Sequence, residues 1–473
     1  MKDICTEMSG SIREKIQQLL YPDAQGNEEV RKDLRGMLPG MLTEQFASTL
    51  LENISVLVTG FIGSVAIAGV SQINPINNTL MIVFQAFAMG GTALVAQASG
   101  AHNDREGAKT AGAALTMGVA ISFALSLVLF LIRGSMLYGL YGPAGAEVVN
   151  NSMLYFSYTA FAPPLWFVYF QCCGFMRSCG DSKRPMVVSI CGNILSIAAN
   201  LLFTLWMKMG VAGVGLSYLV STFGSAMLSA VMVMRKGFPM RPAFHIDRAL
   251  WGRMRSLAHI SIPSATENLL FNLTRLVVQV FIAGMGTVVI SANQVFSSVA
   301  NILLVPFMSI NFLATPVTGR CAGRTKDPAS VTSCVDYIYR CARTVSLWTA
   351  AAHVILALPL SYVFCRQESV LFMAAKMVAL YCLFIPALPG CFVLSNGFKA
   401  VGDAKFAMFF SPLSAWIFRV VGMWLLGVKL GLGPMAIVLS QGMDHLARHI
   451  AYKRRFDSGK WLNDWNLTAN NKK

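Results

Sequence analysis

The chain has 473 residues, of which 55% are hydrophobic and only 13% charged, and its mean hydropathy is +0.57. A soluble protein carries roughly twice that charged share. The charges here are also clumped, leaving apolar runs of about 18 or more residues that read as membrane-crossing helices. A soluble enzyme, a disordered chain and a secreted disulfide scaffold are excluded.

In chain order, residues 1–36 are polar and charged, with no apolar stretch of the kind a cleavable leader carries, and read as a cytoplasmic segment. Six apolar spans follow at about 38–62, 66–98, 106–132, 147–177, 185–207 and 211–234, forming an N-lobe over 37–234. A basic linker, 235–256, holds Arg235, Lys236, Arg241, Arg248, Arg253 and Arg255. Six more spans run at about 257–285, 288–320, 331–364, 368–398, 405–427 and 433–452, a C-lobe over 257–453 followed by a tail at 454–473. The predicted fold is therefore an all-α polytopic membrane protein of about twelve transmembrane helices in two parallel six-helix repeats.

The net charge of +16 superficially suggests nucleic acid, but its placement argues for a membrane. Basic residues concentrate in every second loop, as the positive-inside rule requires, which puts both termini in the cytoplasm. The 11 cysteines are scattered through apolar segments without metal-ligand spacing, and adjacent Cys172 and Cys173 read as helix packing. No metal or cofactor is expected.

The two halves are related by a nearly constant offset. Tyr158, Phe161, Pro163, Gly174 and Phe175 recur as Tyr381, Phe384, Pro386, Gly397 and Phe398, and Thr92, Gly100 and Asp104 as Thr315, Gly323 and Asp327. Gly180-Asp181 recurs as Gly402-Asp403, and Pro39 and Gly60 match Pro263 and Gly284, each one residue off the same register. An even number of spans per half makes this a parallel repeat, one of the recognised transporter plans.

The apolar body, about 37–453, carries Leu38-Pro39, the turn Thr59-Gly60-Phe61-Ile62-Gly63 with Ala66-Ile67-Ala68-Gly69, and Gln97-Ala98-Ser99-Gly100-Ala101-His102-Asn103-Asp104. Gly174-Phe175-Met176-Arg177-Ser178-Cys179-Gly180-Asp181-Ser182-Lys183-Arg184-Pro185 and Gly210-Val211-Ala212-Gly213 follow. In these motifs, their order and their duplication the chain resembles the multidrug and toxic compound extrusion (MATE) family. The resemblance implies a cation-coupled antiporter that exports organic, often cationic, drugs. The family's usual Asp in helix 1 corresponds to Ser55, and its usual Asn and Asp in helix 5 correspond to Ser196 and Asn200. Both customary acids of the N-lobe cation site are missing. Of the acids some members carry in helices 7 and 10, helix 10 offers only Lys376.

A charge in hydrocarbon costs about 2.5–3.5 kcal/mol on insertion scales, so each needs a reason. Helix 1 carries Glu44 and Glu52, and helix 7 carries Glu267 and Arg275 at the repeat offset. Glu52 lies one turn before Ser55 and is the candidate replacement for the missing Asp, with Glu267 a second candidate. Two readings of Glu52 and Arg275 stand: a coupling carboxylate for which Arg275 competes with the cation, or a permanent structural ion pair. Arg419 and Asp444 fall at similar depths and read as a structural or gating pair, while His353 and His445 read as packed histidines. Pro163 and Pro386 lie within spans and recur, so they are hinge candidates.

The expected function is export of an amphipathic organic compound across the cytoplasmic (inner) membrane by alternating access, coupled to H+ or, less favoured, Na+. The expected partners are the small organic substrate and membrane lipid, with no nucleic acid, and the unit is expected to work as a monomer without enzymatic activity. The nearest rival is a lipid-linked precursor flippase of the same superfamily, disfavoured because few intramembrane cations are evident. A lipid-modifying membrane enzyme is further off, for want of a catalytic cluster.

Overall fold

The computed structural model describes residues 26–59, 64–141, 146–244, 249–325, 327–463 and 465, including their side chains except those of 50–59, 64–68, 140, 146 and 205. The helices are α1 (Glu28–Thr59), α2 (Ser64–Gly100), α3 (Asp104–Tyr141), α4 (Ala146–Thr159), α5 (Ala162–Ser178), α6 (Lys183–Asn200) and α7 (Gly210–Met234). They continue with α8 (Leu250–Ala283), α9 (Thr287–Arg324), α10 (Pro328–Phe364), α11 (Glu368–Tyr381), α12 (Leu388–Val401), α13 (Lys405–Ser414) and α14 (Met435–Asp457). Counting α4 with α5 and α11 with α12, and extending α6 and α13 through the π-wound turns Leu201–Trp206 and Ala415–Val421, the described residues form twelve helical rods.

Among the described residues, seven helices are apolar and long enough to cross a membrane, and an eighth if the bent α11–α12 pair counts as one span. The rods outside that group are α1, α4–α5, α8 and α14. Each is either broken or loaded with charge: Glu44 and Glu52 on α1, Glu267 and Arg275 on α8, Asp444 and Arg448 on α14. Lipid-facing surface is evident on α10, where Ile355 and Val363 are 72% and 76% exposed. Water would not tolerate such rows of aliphatic side chains, whereas hydrocarbon does.

The chain forms two compact units, residues 39–269 and residues 1–38 with 270–473. In the first, α2 packs on α3, α4 and α5; α3 packs on α5; α4, α5 and α6 pack on α7. In the second, α9 packs on α10, α11 and α12; α10 packs on α12; α11, α12 and the π-wound turn after α13 pack on α14. Each of these pairings of the first unit has a counterpart in the second, as two copies of one six-rod plan require.

In a bilayer, lipid is as apolar as leucine, so rods associate through close packing and hydrogen bonds rather than hydrophobic drive. Gly174 on α5 lets Thr92 of α2 approach so closely that a Cβ there would collide with the threonine hydroxyl. The Ser178 hydroxyl donates to the Thr92 carbonyl at 2.9 Å beside it. Around this contact Phe84, Phe87, Val95, Phe167, Phe175 and Met176 form the core of the first unit.

The Gly-Asp repeat has a conformational cause. Gly180 and Gly402 adopt φ of +85° and +107°, a left-handed conformation that glycine enters without steric cost. The following amides close the same turn in both units, Asp181 N donating to the Met176 carbonyl at 3.0 Å and Asp403 N to that of Phe398 at 3.0 Å. The aspartates then diverge. Asp181 accepts from the amides of Lys183 at 2.9 Å and Arg184 at 3.1 Å, whereas Asp403 is forked by Arg455 at 2.6 and 2.9 Å.

Three expectations need adjustment. Helices α1 and α8 start at Glu28 and Leu250, ahead of the apolar runs; on α1 the acids Glu28 and Glu29 in the first turn favour the extension. The fourth and tenth spans are each two helices: α4 and α5 break around Ala160–Phe161, and α11 and α12 are separated by a 3₁₀ turn, Ile385–Ala387, with a 41° bend. Asp104 is not the counterpart of Asp327 in role. Asp327 caps α10 by accepting from the amides of Ala329 and Ser330 at 3.2 and 2.9 Å, while Asn103 does this for α3, accepting from Glu106 N at 3.1 Å.

Candidate functional site

Each unit buries a polar cluster. In the first, Glu44 on α1 is 3% exposed and accepts from Arg177 of α5 at 2.5 Å. Tyr169 and Cys173, two turns and one turn back from Arg177 on α5, lie within electrostatic reach of this pair. One turn along α1, Ser48 is 2.9 Å from Ser189 of α6, and Asn193 donates to it at 3.2 Å. Helical spacing carries the same polar face of α6 from Ser189 and Asn193 on to Ser196 and Asn200. Asn200 is buried and accepts from the Thr204 hydroxyl at 2.9 Å; Ser196 is partly exposed. The positions implied by the family resemblance are therefore one end of a polar stripe whose other end is Glu44. Glu267 is also buried in this unit.

The side chains of Glu52 and Ser55 lie outside the described residues, and with them the expected pairing of Glu52 and Arg275.

In the second unit, Asp444 of α14 has no solvent exposure. It accepts from Arg419 Nε at 2.7 Å, from Arg448 Nε and Nη2 at 3.1 and 2.9 Å, and from the Ser414 hydroxyl at 2.8 Å. Arg448 also lies 3.0 Å from His445 Nδ1, and His445 Nε2 lies 3.3 Å from the Tyr381 hydroxyl. The expected neighbours Arg419 and Asp444 are thus paired, and His445, expected as packing, joins the same cluster through Arg448. Arg448 was not among the expected site residues, although Asp444 and Arg448 stand at helical (i, i+4) spacing. His353 is buried against the Thr349 carbonyl at 2.8 Å.

Pro163 sits in the first turn of α5 and Pro386 within the 3₁₀ turn before α12. Both occupy breaks where a missing amide proton costs no helical hydrogen bond.

The MatE family model matches residues 41–202 and again 263–425, one copy for each half. The chain belongs to the MatE family. Over 406 residues it is 26% identical to the transporter YisQ of Bacillus subtilis, covering 84% of this chain and 88% of that protein. It is 20% identical over 442 residues to the probable multidrug resistance protein NorM of Thermotoga maritima, covering 92% and 93% of the two. A variant of the Vibrio cholerae MATE transporter VcmN superposes with a TM-score of 0.84 at 19% identity, covering 93% of this chain and 99% of that one. A MOP superfamily transporter from Pyrococcus furiosus, whose binding pocket is described as having reverse polarity, superposes at 0.80 with 17% identity, over 94% and 98%. The MatE fold, a multi-pass membrane transporter architecture, and kinship with multidrug efflux proteins are thus shown.

Proposed function

We propose that this MatE protein is an antiporter of the cytoplasmic membrane, with both termini in the cytoplasm, which exports amphipathic organic compounds by alternating access in exchange for a cation. The observation that carries the reading is the polar stripe of the first unit: Glu44, Ser48, Ser189, Asn193, Ser196 and Asn200 follow one another along α1 and the otherwise apolar α6. Ionisable and hydrogen-bonding groups in hydrocarbon are costly and mark ion pathways by default.

Glu52, on the same helix as Glu44 and two turns further along it, supplies the titratable group where the family's usual acids are replaced by Ser55 and Asn200. A proton is the favoured coupling ion, since a single carboxylate binds H+ without the several charged oxygen ligands that improve a metal-ion site. One charge crossing 100 mV contributes about 2.3 kcal/mol, enough for concentrative export.

The test is transport in vesicles holding the purified protein, with pH and sodium gradients imposed separately. Glu52→Gln should reach the membrane and bind substrate, yet lose gradient-driven export. Full gradient-driven export by that variant would overturn the assignment of Glu52, and export indifferent to both gradients would overturn coupling itself.

A further inference from the structure

Among the described residues, the charges inside the rods of the second unit do not balance. Among the described residues between 270 and 463, Asp327, Asp336, Glu368, Asp403 and Asp457 lie near rod ends, leaving Asp444 as the acid of the rod interiors. Three guanidinium groups share that neighbourhood. Arg419 and Arg448 both bond to Asp444 and both lie over the ring of Phe271, at 4.7 and 5.0 Å from its centroid. Arg275 stands one helical turn from Phe271 on the same face of α8, and the charge of Arg419 acts on it.

Asp444 cannot neutralise the third cation. A carboxylate offers about four lone-pair positions, and Asp444 already accepts four hydrogen bonds, from Ser414, Arg419 and twice from Arg448. Arg275 makes no ion pair among the described residues, and its side chain is exposed rather than sealed. Arg419 spends only Nε on Asp444, and its two terminal nitrogens make no hydrogen bond among the described residues. Among the described residues these are free donors, on two like-charged forks beside an aromatic surface to which Phe271 and, at 5.5 Å from Arg448, Phe392 contribute. Forked N–H donors match the oxygens of phosphate and carboxylate groups, and the aromatic faces suit an apolar body.

We propose that Arg275 and Arg419 bind the oxyanion of an amphipathic organic anion, a phosphate or carboxylate head whose apolar part rests on Phe271, with the Arg448–Asp444 pair holding Arg419 in place. This rests on the export reading for the fate of the ligand and gives that reading a substrate class. The oxyanion can belong to a soluble organic acid or to a membrane lipid.

The experiment titrates octyl phosphate, octyltrimethylammonium and inorganic phosphate into the full-length protein in phosphatidylcholine nanodiscs, by calorimetry. Octyl phosphate should bind, and Arg275→Gln should weaken it about tenfold or more, the loss of a charge-assisted hydrogen bond, without lowering thermal stability. Arg275→Lys should keep most of the affinity. Equal or tighter binding of the ammonium compound, unchanged octyl phosphate affinity in Arg275→Gln, or inorganic phosphate binding as tightly as octyl phosphate would each overturn the proposal. Displacement of octyl phosphate by phosphatidic acid added to the discs supports it with a lipid as ligand, and lack of displacement supports it with a soluble anion. The two readings fail separately. Arg275-dependent binding without gradient-driven transport sinks export and leaves the site. Gradient-driven export of a cationic dye, with no octyl phosphate binding, sinks the site and leaves export.

Discussion

Arg177 of α5 donates to Glu44 of α1 at 2.5 Å, and both side chains are largely withdrawn from solvent, at 14% and 4% exposure. Two charges in so dry a position hold each other in place, and removing one leaves the other without compensation. The pair ties α1 to α5 at the head of the polar stripe that runs along α6.

Glu44→Gln should therefore destabilise the protein by about 3–5 kcal/mol, the usual cost of stranding a buried charge. Replacing both partners, Glu44→Gln with Arg177→Met, should recover most of that loss, because no lone guanidinium remains. Thermal unfolding of the purified single and double variants measures this. A single variant as stable as the parent would show that Arg177 finds another acceptor.

The left-handed turn at Gly402 gives a second expectation. An L side chain at a φ of +107° meets the steric penalty of the left-handed region, about 1–2 kcal/mol. Gly402→Ala should lower thermal stability accordingly, and Gly402→Asn by less, since asparagine tolerates this region better. Gly180→Ala should behave in parallel, because the turn recurs at +85°. A neutral Gly402→Ala would mean the turn relaxes to another closure.

The twelve rods were legible because apolar runs and charged loops alternate, and the repeat was legible because Tyr, Phe, Pro and Gly recur in one register. The Gly-Asp turn was visible as a motif, but not the different work of its two aspartates, which depends on whether Arg455 lies nearby. Arg177 read as part of a terminal motif, since nothing in its own helix announces Glu44, which is 133 positions away. Arg448 was the more recoverable omission: its spacing from Asp444 is a helical one. The convergence of Arg275, Arg419 and Arg448 could not be read from spacing, because it is made by three separate rods.

Asp327 sets a pH expectation outside the membrane. The Ser330 hydroxyl, with the amides of Ser330 and Ala329, holds its carboxyl below the ordinary carboxylate value. A depressed folded-state pKa contributes stability above the unfolded value, about 4, and that contribution is lost as pH falls through the folded one. Asp327→Asn should thus flatten the acid limb of the stability profile relative to the parent. Superimposable acid limbs would show that this cap does not govern acid sensitivity.

The prolines at the breaks give the last expectation. Pro163 begins α5 directly after the Ala160–Phe161 interruption, and Pro386 lies in the 3₁₀ turn at the 41° bend between α11 and α12. Each ring denies its position an amide donor, so a continuous helix through the break is disfavoured by about 3 kcal/mol or more. At Pro386 alanine restores the donor and lets the two pieces compete to join; at Pro163 it restores one donor while Pro164 still withholds the next. A transporter whose cycle requires the rods to bend at these points would then visit the bent state less readily. Pro163→Ala and Pro386→Ala should each slow gradient-driven transport while leaving the yield of folded protein and substrate affinity near those of the parent. Turnover at the parental rate in both variants would reduce the prolines to fixed features of shape. Loss of folded protein in either would make that break a structural requirement rather than a hinge. The two outcomes are separated by measuring transport per folded molecule in vesicles alongside thermal unfolding of the same preparation.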